Sequence, residues 1–433
     1  MKAFPRSASV IKVGALLLIL SGLLCGCGGG GSTSSLSELP ASGPALDVRS
    51  VNLNNYNNWT PPRPERADYG EQVRLLAARD RICMTEFYAR RSGLTPDTLR
   101  RMNPNAKIYQ TYVLCGKNML DPDCAGVTGS HLQTPMLYDE IVKNDWWLRD
   151  GDGNVIKEND QLRFLDAGKP GFKEMVLANV LARMEGKGYD GVLFDYHLVN
   201  QGMYTKWVTG VGIPAPEAYP DERQWFEKAA QPLMDHVVKG LRSRGYEVIC
   251  NCGGETYDIS PEAQWLRGII DGTVYENWAL NSDGEWASQS AVEMRINSFL
   301  DDPLDAWVCD YALRSSDTEY DKKLEVALAM YYVGLPQSPS LRAKRSYAHY
   351  KNQEVFWEPL WDFAIGDPSA LPEKMSGKYF WSRKYTQGLV LLNYEHSEAI
   401  TYPLDRAYRT PKGTALTKSV TVKPHTALIL AAQ

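Results

Sequence analysis

Short apolar runs alternate with longer amphipathic stretches along most of the chain. Seven clear apolar runs predict buried strands at 81–88, 107–114, 161–168, 189–197, 246–253, 268–278 and 305–312. An eighth run, within 335–365, is weakly marked. The stretches between them have the helical period, as in residues 95–104, 170–188, 220–245, 286–301 and 318–334. Strands that alternate with helices predict a parallel sheet with helices outside it.

The number of repeats and the change of pattern near the C-terminus predict the fold class. Seven or eight strand–helix repeats indicate an α/β protein with a closed (β/α)8 TIM barrel over residues 67–370. Residues 371–433 contain short strand-like runs with turn residues between them, which predicts a small C-terminal all-β domain. An open doubly wound sheet is the alternative, but "TEFYARRSG" after the first strand lacks the glycine-rich turn typical of that fold.

The N-terminus has the pattern of an export signal. Basic residues precede the apolar run "VGALLLILSGLL", which is too short to span a membrane as a stable helix. The following "LLCGCGGGG" resembles a bacterial lipobox, so we expect residues 1–27 to be a signal peptide with a lipidated Cys27, and residues 28–66 to be a tether and lead-in. A plain secretory signal is the alternative. The lipobox predicts a lipid-anchored envelope protein, and Gly28 favours the outer membrane in a diderm bacterium.

Charge and cysteine content narrow the function classes. The net charge of −5, with no basic block beyond the N-terminus, argues against a nucleic-acid partner. Export permits disulfides, and Cys115 and Cys124, which flank a short loop, are the predicted pair. The six histidines are scattered, so we predict no metal site and no cofactor. We expect a monomer.

Charged and aromatic residues recur where the predicted strands end. In a TIM barrel the active site lies at the carboxyl ends of the strands. Acids and aromatic rings at one mouth suit sugar chemistry, in which two carboxyl groups act on the glycosidic bond. We predict Asp195 and Glu276 as catalytic residues, and eight residues as substrate contacts: Glu86, Tyr112, Asp166, His197, Asn251, Trp278, Asp310 and Tyr311. For any one acid, capping of the following helix or loop is an equally good interpretation.

One segment carries a family resemblance. "FLDAGKPGFKEMVLANVLARMEGKGYDGVLFDY" resembles the third and fourth strands of glycoside hydrolase barrels related to endo-α-1,4-polygalactosaminidase. "RMNPNAKIYQTYV", "WWLRDGDGNVI" and the C-terminal "YFWSRKYTQGLVLLN" resemble other parts of that family, so the likeness covers roughly residues 75 to 395. The resemblance implies a retaining arrangement, with Asp195 as the acid after the fourth strand and Glu276 as the acid after the sixth.

These observations predict an envelope-anchored glycoside hydrolase that cleaves a polysaccharide with two carboxylates. A carbohydrate-binding or structural lipoprotein, built on the same barrel without its chemistry, is the main alternative. A deacetylase or lyase is a third possibility, but a deacetylase needs a metal site that the scattered histidines do not support.

Overall fold

The structure is a computed structural model. It describes residues 51–55, 60–119, 133–158, 160–195, 197, 216–252, 260–281, 283–310, 318–349 and 355–433. Within these ranges, no helix is both long and apolar enough to cross a lipid bilayer.

A parallel sheet forms the centre of the larger part of the protein. Its part of the chain contains the strands β1 (Arg81–Met84), β2 (Lys107–Val113), β3 (Gly116–Asn118), β4 (Leu162–Phe164), β5 (Gly191–Asp195), β6 (Glu247–Asn251), β7 (Gly272–Glu276), β8 (Asp305–Asp310) and β9 (Arg345–His349). Seven of these described strands pair in parallel, in the order β1-β2-β5-β6-β7-β8-β9. The prediction of an α/β barrel is confirmed, with a departure at the third strand.

The predicted third strand at 161–168 lies outside the barrel sheet. Only β4 is extended there, and it pairs antiparallel with β3, while β2 pairs directly with β5 from Tyr109↔Gly191 to Val113↔Asp195. The sequence contains the reason. Leu162 and Phe164 alternate with the half-buried Arg163, a pattern typical of an antiparallel strand with one wetter face. The true barrel strand β5 reads "GVLFD" and is buried along its whole length.

A short segment before the first strand completes the ring. Leu53 bridges Tyr347 of β9 and Asn54 bridges Arg81 of β1, both in parallel. Backbone hydrogen bonds from Tyr347 N to Asn52 O (2.9 Å) and from Arg81 N to Leu53 O (3.1 Å) hold the segment there. Residues 51–55, which we expected within the lead-in, therefore take the eighth position of the barrel. Their sequence "VNLNN" alternates apolar and polar residues over only four positions, a short strand signal within a stretch that is otherwise rich in Ser, Asn, Pro and Gly.

Helices cover the outside of the barrel. They are α1 (Tyr69–Ala77), α2 (Glu86–Ser92), α3 (Pro96–Met102), α4 (Tyr138–Asn144), α5 (Phe172–Met184), α6 (Glu222–Trp225), α7 (Gln231–Arg242), α8 (Pro261–Ile269), α9 (Gln289–Asp301), α10 (Tyr320–Gly334) and α11 (Pro339–Arg342). A π-helical segment, Phe226–Ala230, joins α6 to α7, and a 3₁₀ turn spans Pro359–Asp362. All residues of α10 from Val326 to Gly334 are buried, because the helix packs between the barrel and the C-terminal sheet.

The C-terminal part is all-β, as predicted. Its strands are β10 (Glu373–Lys374), β11 (Phe380–Tyr385), β12 (Gly388–Asn393), β13 (Ile400–Pro403), β14 (Tyr408–Arg409), β15 (Ala415–Leu416), β16 (Ser419–Val422) and β17 (Thr426–Ala432). Six of the described strands form one sheet in the order β10-β11-β12-β17-β14-β15, and β13 pairs with β16. Val390 and Leu392 of β12 and Ala427 and Ile429 of β17 join the same apolar cluster as α10.

Candidate active site

Three neighbouring strands end in polar side chains on the inner face of the barrel. Leu193, Ile249 and Val274 pack inside the ring of strands. Because side chains alternate along a strand, the residue two positions further on also points inward. On β5, β6 and β7 those residues are Asp195, Asn251 and Glu276. We call this set the mouth triad. The prediction that Asp195 and Glu276 face one mouth agrees with this geometry.

Asn251 connects the two carboxylates. Its Nδ2 donates hydrogen bonds to Asp195 Oδ1 (3.0 Å) and to Glu276 Oε1 (3.1 Å). An amide nitrogen carries two hydrogens, so it can serve both acceptors at once. Since both bonds share one atom, these two oxygens can be no farther apart than the two bond lengths together. Asp195 and Asn251 are buried, and Glu276 is half-buried at the rim.

His197 is buried beside the triad and contacts the backbone of Asn251. It is fully buried, and its Nε2 lies 3.0 Å from the backbone oxygen of Asn251. A carbonyl oxygen can only accept, so Nε2 carries the proton and donates. Burial lowers the pKa of His197 to about 4, which keeps the ring neutral near pH 7. The prediction of His197 as a substrate contact does not fit this position.

Trp278 is a core residue rather than a stacking platform. It is fully buried against Tyr275 and Phe299, with ring centroids 6.3 and 5.1 Å apart. Asn277 before it has a φ of 56°, and the indole packs in the apolar cluster outside the ring of strands, away from the barrel interior. The predicted substrate role of Trp278 is therefore contradicted, because no ring face is accessible.

Asp310 faces away from the barrel interior. Trp307 and Cys309 on the same strand pack inside the ring, so Asp310 falls on the outer face. It is fully buried, and its Oδ1 accepts hydrogen bonds from Ala279 N (2.9 Å) and Leu280 N (3.1 Å). Burial raises the pKa of its carboxyl group to about 6. A carboxylate used in this way cannot contact substrate, so the predicted contact is wrong.

The remaining predicted contacts are dispersed. Asp166 is buried beyond β4, where its Oδ1 accepts from Tyr219 Oη (2.6 Å), and burial raises its pKa. Tyr112 is fully buried on the outer face of β2 beside Phe194, so it cannot reach the mouth. Glu86 begins α2, and its Oε2 lies 3.9 Å from Arg183 Nε. Tyr311 lies outside the described residues, as does Cys27.

The structure describes only one of the two cysteines of the predicted disulfide, so the pairing of Cys115 with Cys124 stays a prediction. Cys115 carries a free, fully buried thiol. Its Sγ donates to the backbone oxygen of His197 at 3.6 Å, and burial raises the pKa of the thiol, which keeps the donor protonated. Cys124 lies outside the described residues. Across the described part of the chain, no group of three or more histidine, cysteine or acidic side chains could hold a metal ion.

The fold and the strand-end carboxylates together define a barrel of the glycosidase class. The chain belongs to hypothetical glycosyl hydrolase family 15, which it matches over residues 100–389. This membership confirms the prediction of a glycoside hydrolase. No curated protein matches the sequence.

Solved structures resemble the chain only in general architecture. The galactosidase domain of α-galactosidase-sucrose kinase AgaSK shares 10% identity at a TM-score of 0.46, over 89% of this chain and 55% of that one. A noncanonic maltogenic α-amylase, AmyB from Thermotoga neapolitana, has the same identity and TM-score over 88% and 98% of the two chains. A xylosidase from Aspergillus niger shares 9% identity at a TM-score of 0.44, over 89% and 65%. Similarity at this level identifies no substrate.

Proposed function

We propose that this protein hydrolyses a polysaccharide with retention of configuration, using Asp195 as the nucleophile and Glu276 as the general acid and base. The observation that supports this most is the amide of Asn251, which bonds both carboxylates. Retaining glycosidases keep their two carboxyl groups about 5–5.5 Å apart, and inverting ones need roughly 6.5–9.5 Å to admit a water. Two oxygens that share one donor nitrogen favour the shorter spacing.

The proposed reaction has two steps. In the first, Glu276 protonates the glycosidic oxygen while Asp195 attacks the anomeric carbon, so the C–O bond breaks and a glycosyl ester of Asp195 forms. In the second, the Glu276 carboxylate takes a proton from water, the water oxygen attacks the anomeric carbon, and Asp195 is released. Asn251 holds both carboxylates in orientation, which contributes to the rate because misaligned groups react slowly.

The family resemblance and the two carboxylates of the mouth support a substrate class. The chain resembles barrels related to endo-α-1,4-polygalactosaminidase, so an α-1,4-linked galactosamine polymer is the first substrate to test. The primary amines of such a polymer carry positive charge at neutral pH, which suits a mouth with two carboxylates. A panel of acidic, neutral and N-acetylated polysaccharides, read by new reducing ends, separates this substrate from the alternatives.

Isosteric substitution tests the catalytic pair. Glu276→Gln should lower kcat by roughly a hundredfold to ten-thousandfold, since an amide cannot transfer the proton, and Asp195→Asn should lose at least as much. Glu247→Gln is the matched control, because Glu247 also points into the barrel but sits at the opposite end. Its turnover should stay near that of the wild type. Wild-type turnover in either catalytic variant would refute the assignment.

The stereochemistry of the first product tests the retaining mechanism separately. Proton NMR of the anomeric signal, recorded before mutarotation, should show the configuration of the substrate. In Asp195→Ala, added azide should restore turnover and give a glycosyl azide of inverted configuration, because the anion occupies the vacated nucleophile space. An inverted product from the wild-type enzyme would exclude the glycosyl ester.

We also propose that a lipid on Cys27 anchors the protein to the envelope, in the outer membrane if the source is diderm. The support is the lipobox-like "LLCGC" and the glycine-rich stretch behind it. Cys27→Ala should move the protein from the membrane pellet to the soluble fraction, whereas Cys25→Ala should leave it in the pellet. An unchanged distribution of Cys27→Ala would place the anchor elsewhere.

A further inference from the structure

The chain turns sharply just after Glu276. We call residues 277–280 the Glu276 turn. Asn277 there has a φ of 56°, a left-handed conformation that asparagine tolerates better than most residues. The next backbone amide, Trp278 N, donates to Cys309 O of β8 at 3.2 Å. The half-buried Glu276 side chain therefore depends on how this turn is held, because β7 ends at Glu276 itself.

Asp310 holds the turn from the barrel side. One oxygen of its carboxylate accepts both Ala279 N and Leu280 N. The other oxygen, Oδ2, is buried and has no hydrogen-bond partner among the described residues. Burial of a carboxylate is costly unless it is hydrogen-bonded, and the two backbone amides of the Glu276 turn supply such bonds to Asp310.

Tyr394, in the C-terminal domain, binds Ala279 of the same turn. Its Oη donates to Ala279 O at 2.9 Å, although the two residues are 115 positions apart. The backbone oxygen of Tyr394 in turn accepts from Gln289 Nε2 at 3.2 Å. Ala279 is thus fixed at its nitrogen by the barrel and at its oxygen by the β domain. Arg295 adds a further bond to the turn, from its Nη1 to Trp278 O at 3.0 Å.

We propose that Asp310 and Tyr394 are positioning residues that hold the Glu276 turn, and that the C-terminal β domain is thereby part of the active-site framework. The proposal rests on the proposed function for the role of Glu276. Neither residue touches substrate. Each acts through the backbone of Ala279, which lies three residues beyond the carboxylate.

Tyr394→Phe is the sharpest test, because it removes one oxygen and no charge. We expect kcat on the polymer identified by the panel to fall roughly three- to tenfold, with little change in KM. This fall corresponds to the free energy that a neutral hydrogen bond usually contributes. The alkaline limb of the pH–rate profile, which reports loss of the proton from the general acid Glu276, should also shift. The matched control is Tyr385→Phe, since Tyr385 is likewise buried in the β domain and donates to a barrel carbonyl, Tyr332 O (2.6 Å). The control should change thermal stability only.

Asp310 permits a rescue test. Asp310→Ala removes both backbone bonds and should lower kcat by roughly ten- to a hundredfold. Asp310→Asn keeps an acceptor oxygen in place and should recover most of that loss. Asp150→Ala is the control, because Asp150 Oδ1 also accepts two backbone amides, Asp152 N (3.0 Å) and Asn154 N (2.8 Å), in a turn that contains no residue of the mouth triad. It should leave kcat and the pH profile unchanged.

Two substrate-free measurements separate this proposal from the proposed function. Hydrogen exchange of residues 277–281 should be faster in Tyr394→Phe and Asp310→Ala than in either control. The titration midpoint of the Glu276 carboxyl carbon, assigned with Glu276→Gln, should move in Tyr394→Phe but not in Tyr385→Phe. If both variants match their controls in exchange and titration, the proposal is overturned. If the wild type cleaves none of the polysaccharides, the proposed function fails, but these two measurements still test whether Asp310 and Tyr394 hold the Glu276 turn.

Discussion

Carboxylates point into the barrel at both of its ends, but their partners differ. At the floor, the N-terminal ends of the strands, Asp305 forms a buried ion pair with Arg81 at 2.9 Å. Glu247 accepts from Lys107 Nζ and from Tyr109 Oη, both at 2.6 Å. Burial opposes ionisation of Glu247, but these hydrogen bonds lower the pKa of that carboxyl group below its ordinary value. At the floor, basic side chains neutralise the acids.

At the mouth, the two carboxylates share a neutral amide. Asn251 donates to Asp195 and to Glu276, and the imidazole that supports its backbone is itself uncharged near pH 7. Bonds from an amide orient a carboxylate without supplying the full positive charge of an arginine. Burial and inward direction are therefore shared by both ends, but among the contacts of the described residues the floor acids have basic partners, whereas the mouth acids share an amide.

The largest loss of stability should come from removing the ion pair at the floor of the barrel. Asp305→Ala leaves the guanidinium of Arg81 buried without its carboxylate, since both side chains are less than a tenth exposed. Such a loss lowers the free energy of unfolding by about 3–5 kcal/mol. Urea unfolding measures it, and the folded fraction should retain normal turnover. Asp305→Asn should lose less, because it can keep the 2.8 Å bond from Trp307 Nε1. A loss of activity that exceeds the loss of folded protein would mean that floor and mouth are coupled.

The neutral support of the mouth predicts a pH dependence. The pKa of His197 is about 4 in the folded protein and near 6.5 when unfolded. Between these values the unfolded chain binds the extra proton, so stability falls as pH falls from about 6.5 towards 4. For a fully buried group, this shift changes the free energy of unfolding by roughly 3 kcal/mol over that pH range. His197→Gln should be less stable at pH 7, with a difference from the wild type that shrinks towards pH 4.

A second histidine serves as the control for that slope. His236 on α7 is partly exposed and belongs to neither end of the barrel. His236→Gln should follow the wild-type stability curve across the same pH range. If His197→Gln also follows it, then proton uptake by His197 does not contribute to the slope.

The sequence predicted the ends of the central strands well because their pattern is local. A continuous apolar run closed by an acid, as in "GVLFD", identifies both the strand and its polar end. The same logic fails for Asp310, which lies one position beyond an inward-facing cysteine and so falls on the outer face. A shift of one residue reverses the face, and sequence alone does not fix that register.

Contacts between distant segments could not be predicted from the sequence, for a different reason. Trp278 follows the left-handed residue Asn277 and packs outside the ring of strands, and no pattern in the sequence around it predicts this conformation. Residues 51–55 join the sheet through backbone hydrogen bonds to β1 and β9, and Tyr394 acts through one bond to Ala279, 115 positions away. Such partners cannot be read from a periodic pattern. Elements with a repeating pattern could be predicted, whereas isolated contacts required the structure.

The smallest expected effect comes from removing the amide of Asn251, which the two mouth carboxylates share. Asn251→Ala removes the donor to both mouth carboxylates but leaves the carboxylates in place. A hydrogen bond to a charged group contributes about 1.5–3 kcal/mol, which corresponds to a fall in kcat of about tenfold to a hundredfold. The pH optimum should also narrow or move, because two carboxylates freed from a common donor interact directly. Steady-state kinetics across pH measures both effects.

Asn393→Ala separates loss of this bridge from loss of any buried amide. Asn393 is fully buried in the β domain, and its Nδ2 also donates two bonds, to Glu398 O and Val422 O, each at 2.9 Å. Its removal should lower stability by an amount similar to that in Asn251→Ala without changing the pH profile of the folded enzyme. If the two variants behave alike, the amide at the mouth is only another buried donor. If they diverge as expected, a neutral donor between two acids is what distinguishes the mouth from the ion-paired floor.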